Sequence, residues 1–381
     1  MEIRRESLKS FVRVSTAISA IFCFAALNGA LGAAYSMSKV VSVDDPGIRP
    51  NQLIRCMRRT ISHLNNKDEV SIESAVKGFQ GMSPPANVVL MGSSLMMFPV
   101  WEVDKDAEPN LIADKFEYHR SMVLQKKLRL DGLSNAIVYN MATPLQMISD
   151  SYMFMDKLFV GNKTPNTVVL GISPRDFWDS EFSSPGSTLN FVDQVGLCEY
   201  PRYCAQYLPE WHDKFEFVLG QSLILYDKRS FIQRFFRERL SGKERTPMMA
   251  AGTQFAFGLG RYKVRYQGIS MGAIAKQSEF LNRIAELCER RNIKLILVNM
   301  PLPGVNRELF PPLFYHQYQD ELLAFSRAKR VQVIDLSDLP EFKLDYDYSD
   351  SAHMNKYGGK QLIEHIVPPI VANPHPAVRY M

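Results

Sequence analysis

The chain has 381 residues, of which 46% are hydrophobic and 22% are charged, and its formal net charge is +5. This composition is typical of a globular protein with a substantial core, and it excludes a largely disordered chain. The basic residues are scattered along the sequence and form no long run, so nucleic-acid binding is not indicated.

The first segment of the chain has the pattern of a membrane anchor. Residues 14–35 contain no charged side chain, and four basic residues precede them: Arg4, Arg5, Lys9 and Arg13. We therefore predict a cytoplasmic basic tail at residues 1–13 and a transmembrane helix at 14–36, with the rest of the protein outside the cytoplasm. Two alternatives remain open: a signal peptide that is cleaved near Gly32-Ala33-Ala34 to release a secreted protein, or a buried soluble helix.

Five short apolar runs further along the chain predict buried β-strands: Val88–Met91, Ala136–Tyr139, Thr167–Leu170, Lys294–Val298 and Val331–Ile334. Near-continuous apolar runs are typical of parallel strands that are covered on both faces. Helical patterns separate several of them, most clearly at Ile274–Arg290. This alternation predicts a flavodoxin-like α/β three-layer sandwich with a parallel sheet of about five strands.

We place this domain at residues 87–370, after a connector at 37–86 and before a tail at 371–381. Within it, residues 182–268 break the rhythm and are rich in aromatic residues. We interpret this stretch as a partly helical insertion that covers the site, with most of its aromatic side chains in a core. Cys198 and Cys204 are close enough in sequence to form a disulfide in an oxidising compartment, and the sequence leaves this open.

Two short motifs supply the groups of a serine nucleophile system. Gly92-Ser93-Ser94-Leu95 follows the first predicted strand, and Asp350-Ser351-Ala352-His353 lies near the end of the chain. A serine hydroxyl needs a base, and an imidazole needs a carboxylate to orient it. We therefore predict Ser94 as the nucleophile, His353 as its base and Asp350 as the group that orients His353. Asn355 is predicted to cap a helix that begins at Lys356.

These motifs resemble the first and last blocks of the SGNH or GDSL hydrolases, which read Gly-Asp-Ser-Leu and Asp-x-x-His. The resemblance implies catalytic roles for Ser94, Asp350 and His353. The family's second block corresponds to Asn140–Thr143, with Ala142 in place of a glycine whose N–H group binds the oxyanion. Its third block corresponds to Gly171–Asp176, with Ser173 in place of an asparagine. The implied oxyanion site therefore consists of the N–H groups of Ser94 and Ala142 and the Ser173 hydroxyl.

The neighbours of these blocks are further candidates for the site. Asn140 begins the second block and is included with the oxyanion and binding residues. Arg175 either binds an anionic group of the substrate or forms a structural ion pair with Asp176 or Asp179. Phe98 and Trp178 either line the pocket or pack in the core.

The Gly-Ser-Ser and Ser-Pro forms of the blocks, together with the predicted anchor, resemble a membrane-anchored branch of the family. That branch includes the D-alanyl transfer protein DltD and proteins that assist polysaccharide O-acetylation. The resemblance implies an extracytoplasmic acyl transferase or esterase that acts on cell-surface polysaccharide, without metal or cofactor and with a membrane-bound O-acyltransferase as partner. The alternative is an inactive scaffold of the same fold that assists such an acyltransferase.

Overall fold

The computed structural model describes five stretches of the chain and three isolated residues: 67–110, 114–178, 258–264, 271–342, 345–372, Trp211, Phe215 and Tyr266. Apart from Trp211 and Phe215, these residues belong to one compact unit that spans Lys67–Pro209 and Pro247–Met381. None of the helices within these stretches is long and apolar enough to cross a membrane. The predicted anchor at 14–36, the Cys198–Cys204 pair and most of the insertion at 182–268 lie outside the described residues and stay predictions.

The centre of the unit is a sheet of five parallel strands: β1 (Val88–Gly92), β2 (Val138–Asn140), β3 (Thr167–Ile172), β4 (Lys294–Asn299) and β5 (Gln332–Asp335). The strands lie in the order β2-β1-β3-β4-β5, which is the flavodoxin-like order. Every predicted strand is present, so the prediction of a parallel five-stranded α/β sheet is confirmed. Paired residues such as Gly92 and Gly171 show that β1 and β3 end together at one edge.

The helices in chain order are α1 (Lys67–Gly81), α2 (Ser94–Ala107), α3 (Met122–Leu130), α4 (Ile148–Leu158), α5 (Arg175–Trp178), α6 (Met271–Arg290), α7 (Gly304–Arg307), α8 (Pro312–Lys329) and α9 (Lys356–Val371). The chain moves from β1 to β2 in one direction across the sheet and from β2 to β3 in the other. Right-handed crossovers therefore place α2 and α3 on one face and α4 on the opposite face. Accordingly, α9 packs against α2 and α3, and α6 packs against α4.

The burial of α6 follows its sequence pattern. The predicted apolar face is buried, with exposed fractions of 3% or less for Phe280, Leu281, Ile284, Leu287 and Cys288. Glu289 and Arg290 are exposed on the opposite side. Each buried side chain of this size contributes roughly 1.5–3 kcal/mol through the hydrophobic effect, so the helix is held mainly by this stripe.

Residues 67–81, which we placed in the connector, form helix α1 and pack on the core. Phe79 is buried, and its ring centroid lies 5.6 Å from that of Tyr139 and 5.3 Å from that of Phe159. The Tyr139 hydroxyl donates a hydrogen bond of 2.8 Å to the carbonyl of Ala75. The core of the α/β unit therefore includes the end of the predicted connector, because α1 covers part of the sheet.

Candidate active site

Ser94 is the first residue of α2, directly beyond the carboxyl end of β1. Ser93 caps the helix, and its side chain accepts a hydrogen bond of 3.5 Å from the Leu95 N–H. Gly92 has φ +132°, and a Cβ at this position would lie 2.5 Å from the carbonyl oxygen of Gly171. A side chain is therefore excluded at Gly92, and the tight turn places the Ser94 hydroxyl at the edge of the sheet beside the helix N-terminus.

The structure brings the three predicted catalytic side chains together. The Ser94 Oγ atom lies 2.8 Å from His353 Nε2. His353 Nδ1 lies 2.8 Å from Asp350 Oδ2 and 2.9 Å from Asp350 Oδ1. An ionised carboxylate can only accept hydrogen bonds, so Nδ1 carries the proton and Nε2 accepts from the serine hydroxyl. This is the tautomer that a general base for Ser94 requires.

The Asp350 carboxylate is fixed by its own turn. The N–H groups of Ala352 and His353 each donate a hydrogen bond of 2.9 Å to Oδ1. Burial by itself would raise the pKa of Asp350, but the hydrogen bonds and charge of His353 and these N–H groups outweigh it and lower the pKa to about 2. Asp350 is therefore ionised at neutral pH and stabilises a protonated His353.

Helix α9 holds His353 at the correct distance from α2. Asn355 caps the helix, as predicted, by accepting a hydrogen bond of 2.8 Å from the Tyr357 N–H. One turn later, a Cβ at Gly359 would lie 2.5 Å from the Pro99 carbonyl oxygen in α2. The glycine thus allows the two helices to approach more closely than any other residue would.

Two aromatic side chains, Phe98 and Phe116, lie beside the imidazole of His353. The Phe98 ring centroid is 4.6 Å from that of His353, and Phe116 meets Phe98 edge-on at 6.0 Å. The ammonium group of Lys115 lies 4.2 Å from the Phe98 centroid. Phe98 is partly exposed and contacts His353, so it lines the site rather than the core. Sequence reasoning missed Phe116 and Lys115, which carry no motif.

The second block lies next to the nucleophile turn. The Thr143 N–H donates to the Gly92 carbonyl at 3.2 Å, and this hydrogen bond joins the second block to the turn that precedes Ser94. The Ala142 N–H, the predicted oxyanion donor, donates to Asn140 Oδ1 at 3.2 Å. The Asn140 side chain is buried, and its Nδ2 has no hydrogen-bond partner. In this structure Asn140 therefore orders the turn that presents the Ala142 N–H.

The third block differs from the expectation at Ser173. Its N–H and its hydroxyl both donate to Asp176 Oδ2, at 2.7 Å and 3.0 Å. A hydroxyl has one proton, so the Ser173 hydroxyl is not available to an oxyanion while Asp176 holds it. Short serine side chains bond readily to nearby backbone and side-chain groups, which is the physical reason for the difference from an asparagine.

The Arg175 side chain is buried and contacts other residues of the protein. It is 4% exposed, its Nε lies 3.6 Å from Asp176 Oδ1, and its Nη1 donates to the Tyr262 hydroxyl at 3.0 Å. The pairing with Asp176 matches one of the two interpretations of the sequence. Trp178 has no described side chain, and Asp179 lies outside the described residues.

In the described stretches, no group of three or more histidine, cysteine or acidic side chains could hold a metal ion. The chemistry that the described groups can perform is proton transfer through His353 and nucleophilic attack by Ser94.

No protein-family model matches the sequence, and no curated protein matches it. Among solved structures, the chain is similar to a protein described as lipolytic and of the G-D-S-L family from Desulfitobacterium hafniense, at 13% identity and a TM-score of 0.34 over 74% of this chain and 97% of the other. It is similar to a GDSL-like lipase from Bacteroides thetaiotaomicron at 11% identity and a TM-score of 0.34 over 79% and 98%. It is also similar to an acetyl xylan esterase at 12% identity and a TM-score of 0.34 over 74% and 99%. The fold assignment rests on the strand order and register of this chain itself.

Proposed function

We propose that this protein is a serine-dependent esterase or acyl transferase of the SGNH type that acts on O-acyl groups of cell-surface polysaccharide. The observation that carries the proposal is the hydrogen-bonded series of Ser94, His353 and Asp350, in which Oγ and Nε2 are 2.8 Å apart. A serine in this arrangement is an activated nucleophile, because its proton has an acceptor at the moment of attack.

In the first half-reaction, Ser94 Oγ attacks the ester carbonyl carbon while His353 Nε2 takes the hydroxyl proton. The bond between the carbonyl carbon and the alcohol oxygen then breaks, and His353 returns the proton to the leaving alcohol. The negative charge on the tetrahedral intermediate is stabilised by the N–H groups of Ser94 and Ala142. To do so, the Ala142 N–H exchanges its hydrogen bond to Asn140 Oδ1 for one to the oxyanion.

In the second half-reaction, His353 removes a proton from water or from a sugar hydroxyl, and that oxygen attacks the acyl-Ser94 ester. Water gives hydrolysis and a sugar hydroxyl gives transfer. Throughout both steps the ionised Asp350 keeps Nδ1 protonated and stabilises the imidazolium.

A test of the hydrolytic chemistry compares two adjacent serines. Ser94→Ala should lower kcat for 4-nitrophenyl acetate by a factor on the order of 10³ or more, because the nucleophile is lost. The matched control Ser93→Ala removes only a helix cap, so it should lose about 1 kcal/mol of stability and keep most of the activity. Equal activity of Ser94→Ala and the wild-type protein contradicts the proposal.

A non-catalytic scaffold of the same fold is the second candidate. It is favoured by the hydrogen bonds of Ser173 to Asp176, which leave the site without a side-chain oxyanion donor from the third block. The discriminating experiment is genetic complementation of a deletion strain. If Ser94→Ala and His353→Ala variants restore full polysaccharide modification, the protein is a scaffold. If both variants are present at wild-type levels and fail to restore it, the protein acts as an enzyme.

The proposal includes tethering by residues 14–36 next to a membrane-bound O-acyltransferase, with the α/β unit outside the cytoplasm. The uncharged sequence of that segment and its basic flank support this part. A secreted form that begins at residue 37 should hydrolyse small esters but fail to restore modification in cells, because the effective concentration at the membrane partner is lost. Full restoration by the untethered form contradicts tethering.

A further inference from the structure

A segment from the end of the predicted insertion docks on the loops that carry the site residues. This docking segment consists of residues 258–264 and Tyr266. Its Tyr262 hydroxyl accepts the hydrogen bond from Arg175, beyond β3. A Cβ at Gly258 would overlap the Ser351 hydroxyl, so the segment lies directly against the turn between Asp350 and His353.

A series of buried hydrogen bonds connects this segment to the catalytic carboxylate. The Tyr266 hydroxyl lies 3.0 Å from Asn306 Oδ1, and Asn306 Nδ2 donates to the Ser351 carbonyl at 2.7 Å. A carbonyl can only accept, so the amide orientation of Asn306 is fixed and Tyr266 is the donor to Oδ1. Asn306 is fully buried, and Tyr266 and Ser351 are nearly so.

The last member of the series acts on Asp350 through one peptide group. The Ser351 carbonyl belongs to the same peptide plane as the Ala352 N–H, which donates a hydrogen bond of 2.9 Å to Asp350 Oδ1. Because the peptide group is rigid, Asn306 fixes the direction of that N–H and therefore the position of the carboxylate. The stacked rings of Tyr266 and Phe310, 4.2 Å apart, hold the first member in place.

We propose that Asn306 is a positioning residue for the Asp350–His353 pair. Through the hydrogen bond of Tyr266 to Asn306, the docking segment contributes to this positioning. The proposal rests on the proposed function, since it assigns a role in the reaction of Ser94. The hydrogen bonds of Tyr266 and Asn306 are buried, where a hydrogen bond is worth more than on the surface. Loss of either one is therefore expected to let the Ser351–Ala352 peptide group shift, and the carboxylate with it. Asn306 and Tyr266 touch neither the Ser94 hydroxyl nor the imidazole and act through Ser351.

The first test uses ester hydrolysis by the full-length protein. Asn306→Ala should lower kcat about 10- to 100-fold with little change in KM for a small ester, because displacement of a catalytic group slows the chemical step. Tyr266→Phe should have a smaller effect in the same direction. Tyr139→Phe is the matched control, because it also removes a buried hydrogen bond of a tyrosine hydroxyl, here to the Ala75 carbonyl in α1. This variant should leave kcat unchanged.

The second test separates positioning from a general loss of stability. In the Asn306→Ala background, Tyr266→Phe should lower kcat no further, because Tyr266 acts through Asn306. The low-field proton NMR signal of His353 Nδ1–H should shift in both variants and not in Tyr139→Phe. Independent, multiplicative losses in kcat with an unchanged signal overturn the proposal.

The NMR signal also separates the positioning role of Asn306 from the proposed function. If the wild-type protein hydrolyses no ester, the proposed function fails, while a shifted signal in Asn306→Ala still supports the hydrogen-bond series. If the wild-type protein is active and Asn306→Ala retains its kcat and its signal, the positioning role is wrong and the proposed function stands. Should Asn306→Ala fail to fold, Tyr266→Phe decides: a shifted signal with a lower kcat supports the positioning role, and an unchanged signal overturns it.

Discussion

Gly359 lies against Pro99, so closely that the carbonyl oxygen of Pro99 would be 2.5 Å from a Cβ at Gly359. The contact joins α9, which follows His353, to α2, which begins at Ser94. Ser94 is the first residue of α2, and His353 lies in the turn just before α9. The spacing of the two helices therefore sets the distance between the proposed nucleophile and its base.

Replacement of this glycine should therefore affect both stability and activity. Gly359→Ala is expected to lower the free energy of unfolding by about 1–3 kcal/mol, the usual cost of overpacking, and to lower kcat by separating α2 from α9. The control is Gly81→Ala at the end of α1, where no atom lies within 4 Å of the added Cβ. Urea unfolding and ester hydrolysis measure the two effects. Equal values for both variants would show that the helix contact does not set the catalytic distance.

The lowered pKa of Asp350 predicts a pH-dependent contribution to stability. Its folded-state pKa of about 2 is below the ordinary value of 3.8. A lowered pKa means that the folded state binds the proton less tightly than the unfolded state does, so the contribution is present above pH 3.8 and is lost as the pH falls toward 2. The stability difference between wild type and Asp350→Asn should thus shrink over this range in urea titrations. A difference that stays constant from pH 7 to pH 2 contradicts the assignment.

Asp104 is predicted to be the main polar support of the loop that carries Phe116. Its carboxylate accepts hydrogen bonds from the N–H groups of Met122 and Val123, at 2.7 Å and 2.9 Å, and from the Tyr118 hydroxyl at 2.8 Å. Burial raises the pKa of Asp104, against the effect of these hydrogen bonds.

Removal of the Asp104 carboxylate leaves the buried Tyr118 hydroxyl and the half-buried N–H groups of Met122 and Val123 without this acceptor. Asp104→Ala should lower the free energy of unfolding by roughly 2–4 kcal/mol. Asp106→Ala, two residues on, removes exposed ion pairs to Lys356 and Lys360 and serves as the control, with a small effect. Thermal and urea unfolding give the comparison. If the two variants are equally stable, Asp104 does not hold this loop.

Lys115 is predicted to favour substrates that carry a negative charge near the ester. Its ammonium group lies over Phe98, which contacts His353, and within the described residues no acidic side chain forms an ion pair with it. Because Phe98 lines the site, this positive charge lies beside the site and attracts an anionic group of a substrate bound there. The ratio of kcat/KM for a hemisuccinate ester to that for the matching acetate should fall roughly 3- to 10-fold in Lys115→Met. High salt should reduce the ratio in the wild-type protein, and an unchanged ratio in Lys115→Met would assign no such role.

The sheet could be predicted from the sequence because each strand is an apolar run that is buried on both faces, as at Thr167–Leu170. The candidate catalytic residues could be predicted because each lies in a short motif next to a predicted element: Ser94 directly follows β1, and His353 precedes α9. The fold brings the two side chains together although their positions are 259 apart in the sequence. Local patterns determine such features. Local patterns do not reveal features that are determined by contacts between segments far apart in the sequence.

Two features of the site and one of the fold depend on such contacts. The Ser173 hydroxyl donates a hydrogen bond to Asp176, and the sequence spacing does not reveal which acceptor a serine hydroxyl binds. Asn306 stands in a short helical turn without a motif, and only the fold places it under Ser351. In the fold, helix α1 carries Ile72, Ala75 and Phe79 on its buried face, but this pattern is short, and the sequence predicts a connector there.

The central claim is that Ser94 is a nucleophile activated by His353. The most direct measurement is reaction of the purified protein with a fluorophosphonate, followed by peptide mapping with mass spectrometry. We predict a single phosphonylated residue in the peptide that contains Ser94, with labelling abolished in Ser94→Ala and strongly slowed in His353→Ala. Absence of labelling in a folded wild-type protein, or equal labelling in Ser94→Ala, would contradict it.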